Sequence, residues 1–181
     1  MTEKETFDSL KEKFKDDIID FAEEEVLQPS ITVNSDAIEK IATYIRDDEK
    51  FDFDWLNNIS TVHYPAKEVP EDSEEKPIGE LEVVYHLFSM KHRHNIVLKV
   101  RVAEDSPKVP SVAMVWRTAD WHERESYDMF GIEFTDHPDL RRILLPDDWE
   151  GYPLRRDYVT PELYDGMRVP YPEEDGDLKD E

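Results

Sequence analysis

The sequence predicts an α+β fold: a mostly antiparallel sheet with helices packed on one face, followed by an extended, irregular C-terminal arm. Three observations carry this expectation. Residues 81–90 and 95–103 alternate in the strand period, with Leu81, Val83, Tyr85 and Leu87 on one side of the first and Ile96, Leu98, Val100 and Val102 on one side of the second. Two amphipathic helical patterns come before them. Beyond Gly131, prolines at 138, 146, 153, 161, 170 and 172 break up the chain, so long regular elements are not expected there.

The elements follow in order. Residues 3–15 form a helix with Phe7, Leu10 and Phe14 on one stripe. Short strands fall at 18–21 and 31–33. Asn34 or Ser35 caps a second helix over 36–48, whose inner face is Ile38, Ile41, Ala42 and Ile45. Residues 51–64 are extended and aromatic-rich, a strand with a bend, and 66–78, with its acidic clusters and two prolines, is a connector. Lys91-His92-Arg93-His94 makes a polar hairpin turn. Ser111 to Trp116 is a short apolar run. A helix over about 120–130 starts at Asp120, with Glu123 as its capping-box partner and Gly131 as its C-terminal cap. The expected organisation is a core domain over 1–116, a motif helix over 117–131, a partner-wrapping arm over 132–170 and an acidic tail over 171–181.

Composition removes several classes of function. The 181 residues carry a formal net charge of −23. A surface that acidic repels nucleic acid phosphates and anionic lipid headgroups. The absence of cysteine excludes disulfides, thiolate zinc sites and cysteine-ligated iron–sulfur clusters. No stretch approaches the roughly 20 apolar residues of a membrane span, and residues 1–10 lack the apolar core of a signal peptide.

Little in the chain points to chemistry. The five glycines are too scattered for a dinucleotide loop or a P-loop. His122-Glu123 begins like a zinc helix, but Ser126 stands where the second histidine is needed. His92 and His94 lack further ligands and fit a hairpin better. The expectation is that this chain holds no cofactor, no metal and no catalytic residue.

One shift in composition points to a different role. Residues 117–160 contain six arginines and no lysine, whereas the chain before residue 91 has eight lysines and one arginine. Arginine suits buried or interfacial pairing, because its planar fork grips carboxylates and is weakly hydrated. Eight aromatic side chains, from Trp116 to Tyr158, accompany these arginines, and together they resemble the hot-spot composition of protein interfaces. On a helix, Trp121, Arg124, Glu125 and Asp128 share one wedge roughly 100° wide. Arg124 and Asp128 stand in the less favourable order for local pairing, so the wedge is expected to face outside partners, as are the arginines of the arm.

The segment Glu123-Arg124-Glu125-Ser126-Tyr127-Asp128-Met129-Phe130-Gly131 and its continuation to Leu144, with the later DWEGYPLRRDY at 148–158, resembles the 30-kDa (C-type) subunit family of respiratory complex I, NADH:quinone oxidoreductase. Residues 83–90 and 109–112 and the approach from Trp116 to Trp121 are similar in kind and order. The resemblance spans roughly residues 5–160 and departs from the family at Tyr152, where His is usual, at Arg156, where Lys is common, and at His63, where Asp is common.

The resemblance implies a cofactor-free scaffold subunit of the peripheral arm, in a complex whose other subunits hold FMN, iron–sulfur clusters and quinone. The implied partners are the large quinone-site (D-type) subunit and neighbouring iron–sulfur subunits. The implied location is the cytoplasmic side of the inner membrane, held there through the complex. By the same resemblance, Glu123, Arg124, Glu125, Asp128, His137, Arg141, Arg142, Arg155, Arg156 and Asp157 are the positions expected to make structural or inter-subunit contacts. The equivalent subunit of a ferredoxin-dependent or hydrogenase-type complex stays open as an alternative, and less so a stand-alone acidic enzyme or binding module.

Overall fold

The computed structural model describes residues 3–23, 28–66 and 77–169. Most of the expected connector at 66–78 and all of the acidic tail at 171–181 lie outside the described residues. Three helices, α1 (Glu3–Phe14), α2 (Ile38–Asp47) and α3 (Ala119–Phe130), accompany a five-stranded sheet of β1 (Ile18–Ala22), β2 (Ser30–Val33), β3 (Trp55–Tyr64), β4 (Glu80–Ser89) and β5 (His94–Ala103). The order across the sheet is β1-β2-β5-β4-β3, and only β2 and β5 run parallel. A small parallel pair, β6 (Lys108–Pro110) with β7 (Glu133–Thr135), a hairpin of β8 (Leu163–Tyr164) and β9 (Met167–Arg168), and two short 3-10 turns at Lys15–Asp17 and Ser35–Ala37 complete the described elements.

The alternation read from the sequence sets which face is buried. Leu81, Val83, Tyr85 and Leu87 of β4 lie opposite Val102, Val100, Leu98 and Ile96 of β5. All eight join Leu10, Phe14, Ile38, Ile41, Ile45 and Ala119 from the helices in one core, so the three helices share a face of the sheet. The other face carries Glu82, Val84, His86, Val97 and Lys99, which line a cleft of about 380 Å³.

The extended reading of 51–64 is right about its apolar content but places the strand too early. Phe51 and Phe53 are fully buried ahead of β3, in a turn where Asp52 takes a positive φ of 48°. Within β3, Leu56 and Ile59 both point to the core although they are three residues apart. A register shift between Leu56 and Asn58 explains this, because an extra residue in one strand resets the inward face. That reset puts Thr61 and His63 on the helix side, opposite Val83 and Leu81.

The capping box expected at Asp120 and Glu123 is absent. α3 begins one residue earlier, at Ala119, and its N-cap Thr118 makes no side-chain cap bond. Glu123 faces inward and is committed elsewhere, as described below. The C-terminal cap matches the sequence: Gly131 takes φ 77° and donates its N–H to the Tyr127 carbonyl at 2.9 Å. A β-carbon there would sit 2.4 Å from the Tyr152 ring. Gly131→Ala therefore carries the left-handed penalty of about 1–2 kcal/mol and also displaces Tyr152. The expected result is a lower midpoint in chemical denaturation and a perturbed Tyr152 environment by NMR.

Candidate functional site

The C-terminal end of α3 is where the irregular arm attaches. The last carbonyls of a helix have no partner within it, and here residues of the arm supply several. Arg142 Nη1 donates to the Asp128 carbonyl at 3.3 Å, the Leu154 N–H to the Met129 carbonyl at 3.2 Å, and Arg155 Nε to the Phe130 carbonyl at 2.6 Å. Two guanidinium groups thus sit at the negative end of the helix dipole. Both also pack against Tyr152, with ring distances of 5.5 Å for Arg142 and 4.8 Å for Arg155.

Asp128 is the hub of this attachment and is fully buried. Its Oδ2 accepts three successive backbone N–H groups, from Ile143 at 2.9 Å, Leu144 at 2.7 Å and Leu145 at 3.0 Å. Its Oδ1 accepts from Arg142 Nη1 at 2.9 Å. Burial alone would push this carboxyl up, but the amides of Leu144, Leu145 and Ile143 and the Arg142 guanidinium outweigh it and hold Asp128 below the ordinary carboxylate range.

Glu123, on another face of the same helix, has the opposite balance. Its Oε1 accepts the Val112 N–H at 2.7 Å and its Oε2 the Ser111 hydroxyl at 2.6 Å, which ties the apolar run at 111–116 to α3. Burial dominates and pushes its carboxyl up to about 7, against those two hydrogen bonds, and the Asp120 charge adds to the rise. His137 Nε2 lies 3.8 Å from Glu123 Oε2 and 3.2 Å from the Asp120 carbonyl. Because His137 Nδ1 accepts the Asp139 N–H at 3.0 Å, a neutral His137 carries its proton on Nε2 and donates to that carbonyl.

The same arrangement recurs at the far end of the arm. His63 Nδ1 accepts the Arg156 N–H at 2.9 Å, while Nε2 faces Glu104 Oε2 at 3.4 Å. Asp157 Oδ1 is 3.6 Å from Nδ1, and Arg155 Nη1 is 3.6 Å from Glu104 Oε1. Among the described residues, His63, Glu104 and Asp157 have the ligand spacing for a metal ion, their donor atoms lying within 4.8 Å of one another. The neutral imidazole has one lone pair, and the Arg156 N–H takes it. The two carboxylates also flank opposite ring nitrogens, and Arg155 already pairs with Glu104. The group acts as a fastener between β3, the end of β5 and the arm, and a cation would have to break that fastening.

The ten positions singled out by the motif thus divide into two sets. Glu123, Arg124, Asp128, His137, Arg142 and Arg155 turn inward. Arg124 is buried, lies over Trp121 at 4.9 Å and has its Nη1 4.0 Å from Asp120. Glu125, Arg141, Arg156 and Asp157 present exposed side chains, with Arg141 Nε bonded to Asp139 at 2.9 Å. The expectation that the wedge and the arm's arginines face a neighbour does not hold for Arg124, Asp128, Arg142 and Arg155, whose partners are in this chain. Sequence reasoning missed Glu104, Ser111 and the fastening role of His63. Each lies far along the chain from its partner, and no local pattern marks it.

A family model described as "Respiratory-chain NADH dehydrogenase, 30 Kd subunit" matches residues 31–163. The C-type subunit of the NADH-quinone oxidoreductase of Chloroherpeton thalassium is 46% identical over 164 residues, which is 90% of this chain and 63% of that protein. That of Chlorobium phaeobacteroides is 43% identical over 166 residues, 91% of this chain and 93% of that protein. This chain therefore spans less than two thirds of the first of these relatives and nearly all of the second.

Among solved structures, a trypsin-resistant fragment (1-134) of Nqo5 is similar with a TM-score of 0.57 at 26% identity, covering 77% of this chain and 100% of the fragment. A chain of the membrane-bound sulfane sulfur reductase, an archaeal respiratory membrane complex, shares the fold with a TM-score of 0.64 at 22% identity, covering 87% of this chain and 85% of its own. With the family model matching residues 31–163, across the motif helix and most of the arm, and with relatives 43–46% identical over about nine tenths of the chain, the chain belongs to the 30-kDa subunit family of the respiratory-chain NADH dehydrogenase.

Proposed function

We propose that this chain is a cofactor-free structural subunit of the peripheral arm of a proton-translocating NADH:quinone oxidoreductase. In this reading it supports the passage of electrons from NADH through FMN and iron–sulfur clusters to quinone without taking part in the redox steps. The observation that carries it is the end of α3. The motif residues that an active site would expose are spent on holding the arm, with Asp128 fully buried beneath three backbone amides. Glu125, Arg141, Arg156 and Asp157, whose side chains remain outside, are the motif positions left to meet other subunits. The partners proposed are the large quinone-site subunit and its iron–sulfur neighbours, on the cytoplasmic side of the inner membrane. Attachment is proposed to be through those partners; no helix among the described residues is long and apolar enough to cross a membrane.

The test is affinity capture of the tagged full chain from solubilised membranes, with the captured subunits identified by mass spectrometry. Recovery of the quinone-site subunit together with an NADH- and flavin-binding module is expected. Recovery without that module would move the assignment to a ferredoxin-dependent or hydrogenase-type complex. Quinone reduction by the purified chain alone would overturn the scaffold reading.

A further inference from the structure

The arm spends Arg142 and Arg155 on itself and leaves its aliphatic side chains outside. Between residues 144 and 167, Leu144 is 60% exposed, Leu154 55%, Val159 81%, Leu163 63% and Met167 65%. Single exposed leucines are ordinary on a protein surface. Here, however, the backbone that carries them is fixed. Leu144 belongs to the turn gathered on Asp128, and its own N–H is the shortest of the three bonds to that carboxylate, at 2.7 Å. Leu154 is pinned by its N–H to the Met129 carbonyl and is followed by Arg155, which is locked to Phe130 and Glu104. Leu163 and Met167 stand on the β8–β9 hairpin, whose Asp165-Gly166 turn takes positive φ at both residues, the conformation a two-residue hairpin requires. Fixing side chains outward in this way does nothing for a solitary chain.

Charge indicates what covers them. Residues 144–169 carry six acids (Asp147, Asp148, Glu150, Asp157, Glu162 and Asp165) against three arginines, and one of these, Arg155, is turned inward onto Glu104. The aliphatic side chains are therefore set in an acidic rim.

We propose that the arm docks through these aliphatic side chains into apolar sockets rimmed by Lys and Arg on a partner subunit, while Arg142 and Arg155 act as internal fasteners and not as interface contacts. This reverses the usual expectation that arginines supply the interface energy. It rests on the reading of the chain as a subunit of a larger complex.

The test compares the Leu144→Asp, Leu154→Asp double variant with Ile19→Asp, a control at a side chain 61% exposed on β1, outside the arm. Each tagged full chain is expressed in cells lacking the native copy. Subunits co-purifying from solubilised membranes are quantified, and thermal midpoints are measured on the purified chains. The expected result is a roughly tenfold loss of co-purifying subunits for the arm variant, no loss for Ile19→Asp, and wild-type midpoints for both. If the aspartates lower the midpoint, Leu144→Ala with Leu154→Ala is read in their place, with about a threefold loss expected. Wild-type recovery of partners by the arm variants would overturn the inference. A wild-type chain that captures no partner at all would instead overturn the function proposed above.

Discussion

Asp128→Ala should release the turn at residues 142–145 from the end of α3 and cost about 3 kcal/mol. Removing one partner of a buried ion pair commonly costs about 3–5 kcal/mol, because the remaining charge is left without compensation. The low end applies here because Arg142 keeps some contact with solvent, at 14% exposure, and can turn towards water. The three amides that lose Oδ2 add their own desolvation cost of about 1–3 kcal/mol each if they stay buried, so the chain will relax until they reach water. The loss is therefore expected to be local before it is global. Amide hydrogen exchange at Ile143, Leu144 and Leu145 should speed up by about a hundredfold, whereas exchange in β4 and β5 should hardly change.

Asp128→Asn is the informative companion. Its carbonyl oxygen still accepts from the amides, but it offers Arg142 no charge, so an intermediate loss is expected. The pH dependence has a definite sign. Asp128 is depressed in the folded state, so its contribution is present above the ordinary aspartate range and is lost as pH falls through the lower folded value. Equal exchange rates in wild type and Asp128→Ala would mean that the carboxylate does not hold the arm.

Much of the sheet was readable from the sequence because its period is local. The alternation at 81–90 and 95–103 sets the inward face without reference to anything distant, and Gly131 announced its cap through the one residue type that tolerates the conformation. Glu123 and Asp128 were harder, for one physical reason. Sequence spacing shows which helix face a residue occupies but not what covers that face. The capping-box pattern at Asp120 and Glu123 was present in letters, yet the Val112 N–H and the Ser111 hydroxyl take the Glu123 carboxylate into the interior, and no local spacing marks either donor. Arg142 and Arg155 were misjudged in the same way. Their composition suits an interface, and they do make one, but it lies between two parts of a single chain. His63 shows the limit most plainly, since the residue it receives is 93 positions away.

Glu123→Gln should raise stability at alkaline pH and abolish most of a pH slope that the wild type shows between about 4.5 and 7. The folded carboxyl titrates at about 7 against an ordinary value of 4.5. Across that interval the unfolded chain has released the proton while the folded chain still holds it, so stability falls as pH rises. Glu123 therefore costs nothing in acid, and its cost grows to about 3 kcal/mol once pH passes the folded value.

Glutamine imitates the protonated acid at this site. Its carbonyl accepts the Val112 N–H and its amide donates to Ser111 Oγ, and neither changes with pH. Wild type and variant should then match near pH 4.5 and diverge by about 3 kcal/mol at pH 8, measured by urea denaturation at each pH. His137 sets the scale of any shortfall. Its Nε2 is 3.8 Å from Glu123 Oε2, close enough for the two side chains to interact. A Glu123→Gln, His137→Gln double variant separates the contributions: the additional change on removing His137 should be small when Glu123→Gln is already present and larger in the wild-type background. Identical slopes in all of these proteins would show that Glu123 is ionised throughout, and that the Ser111 and Val112 donors outweigh its burial.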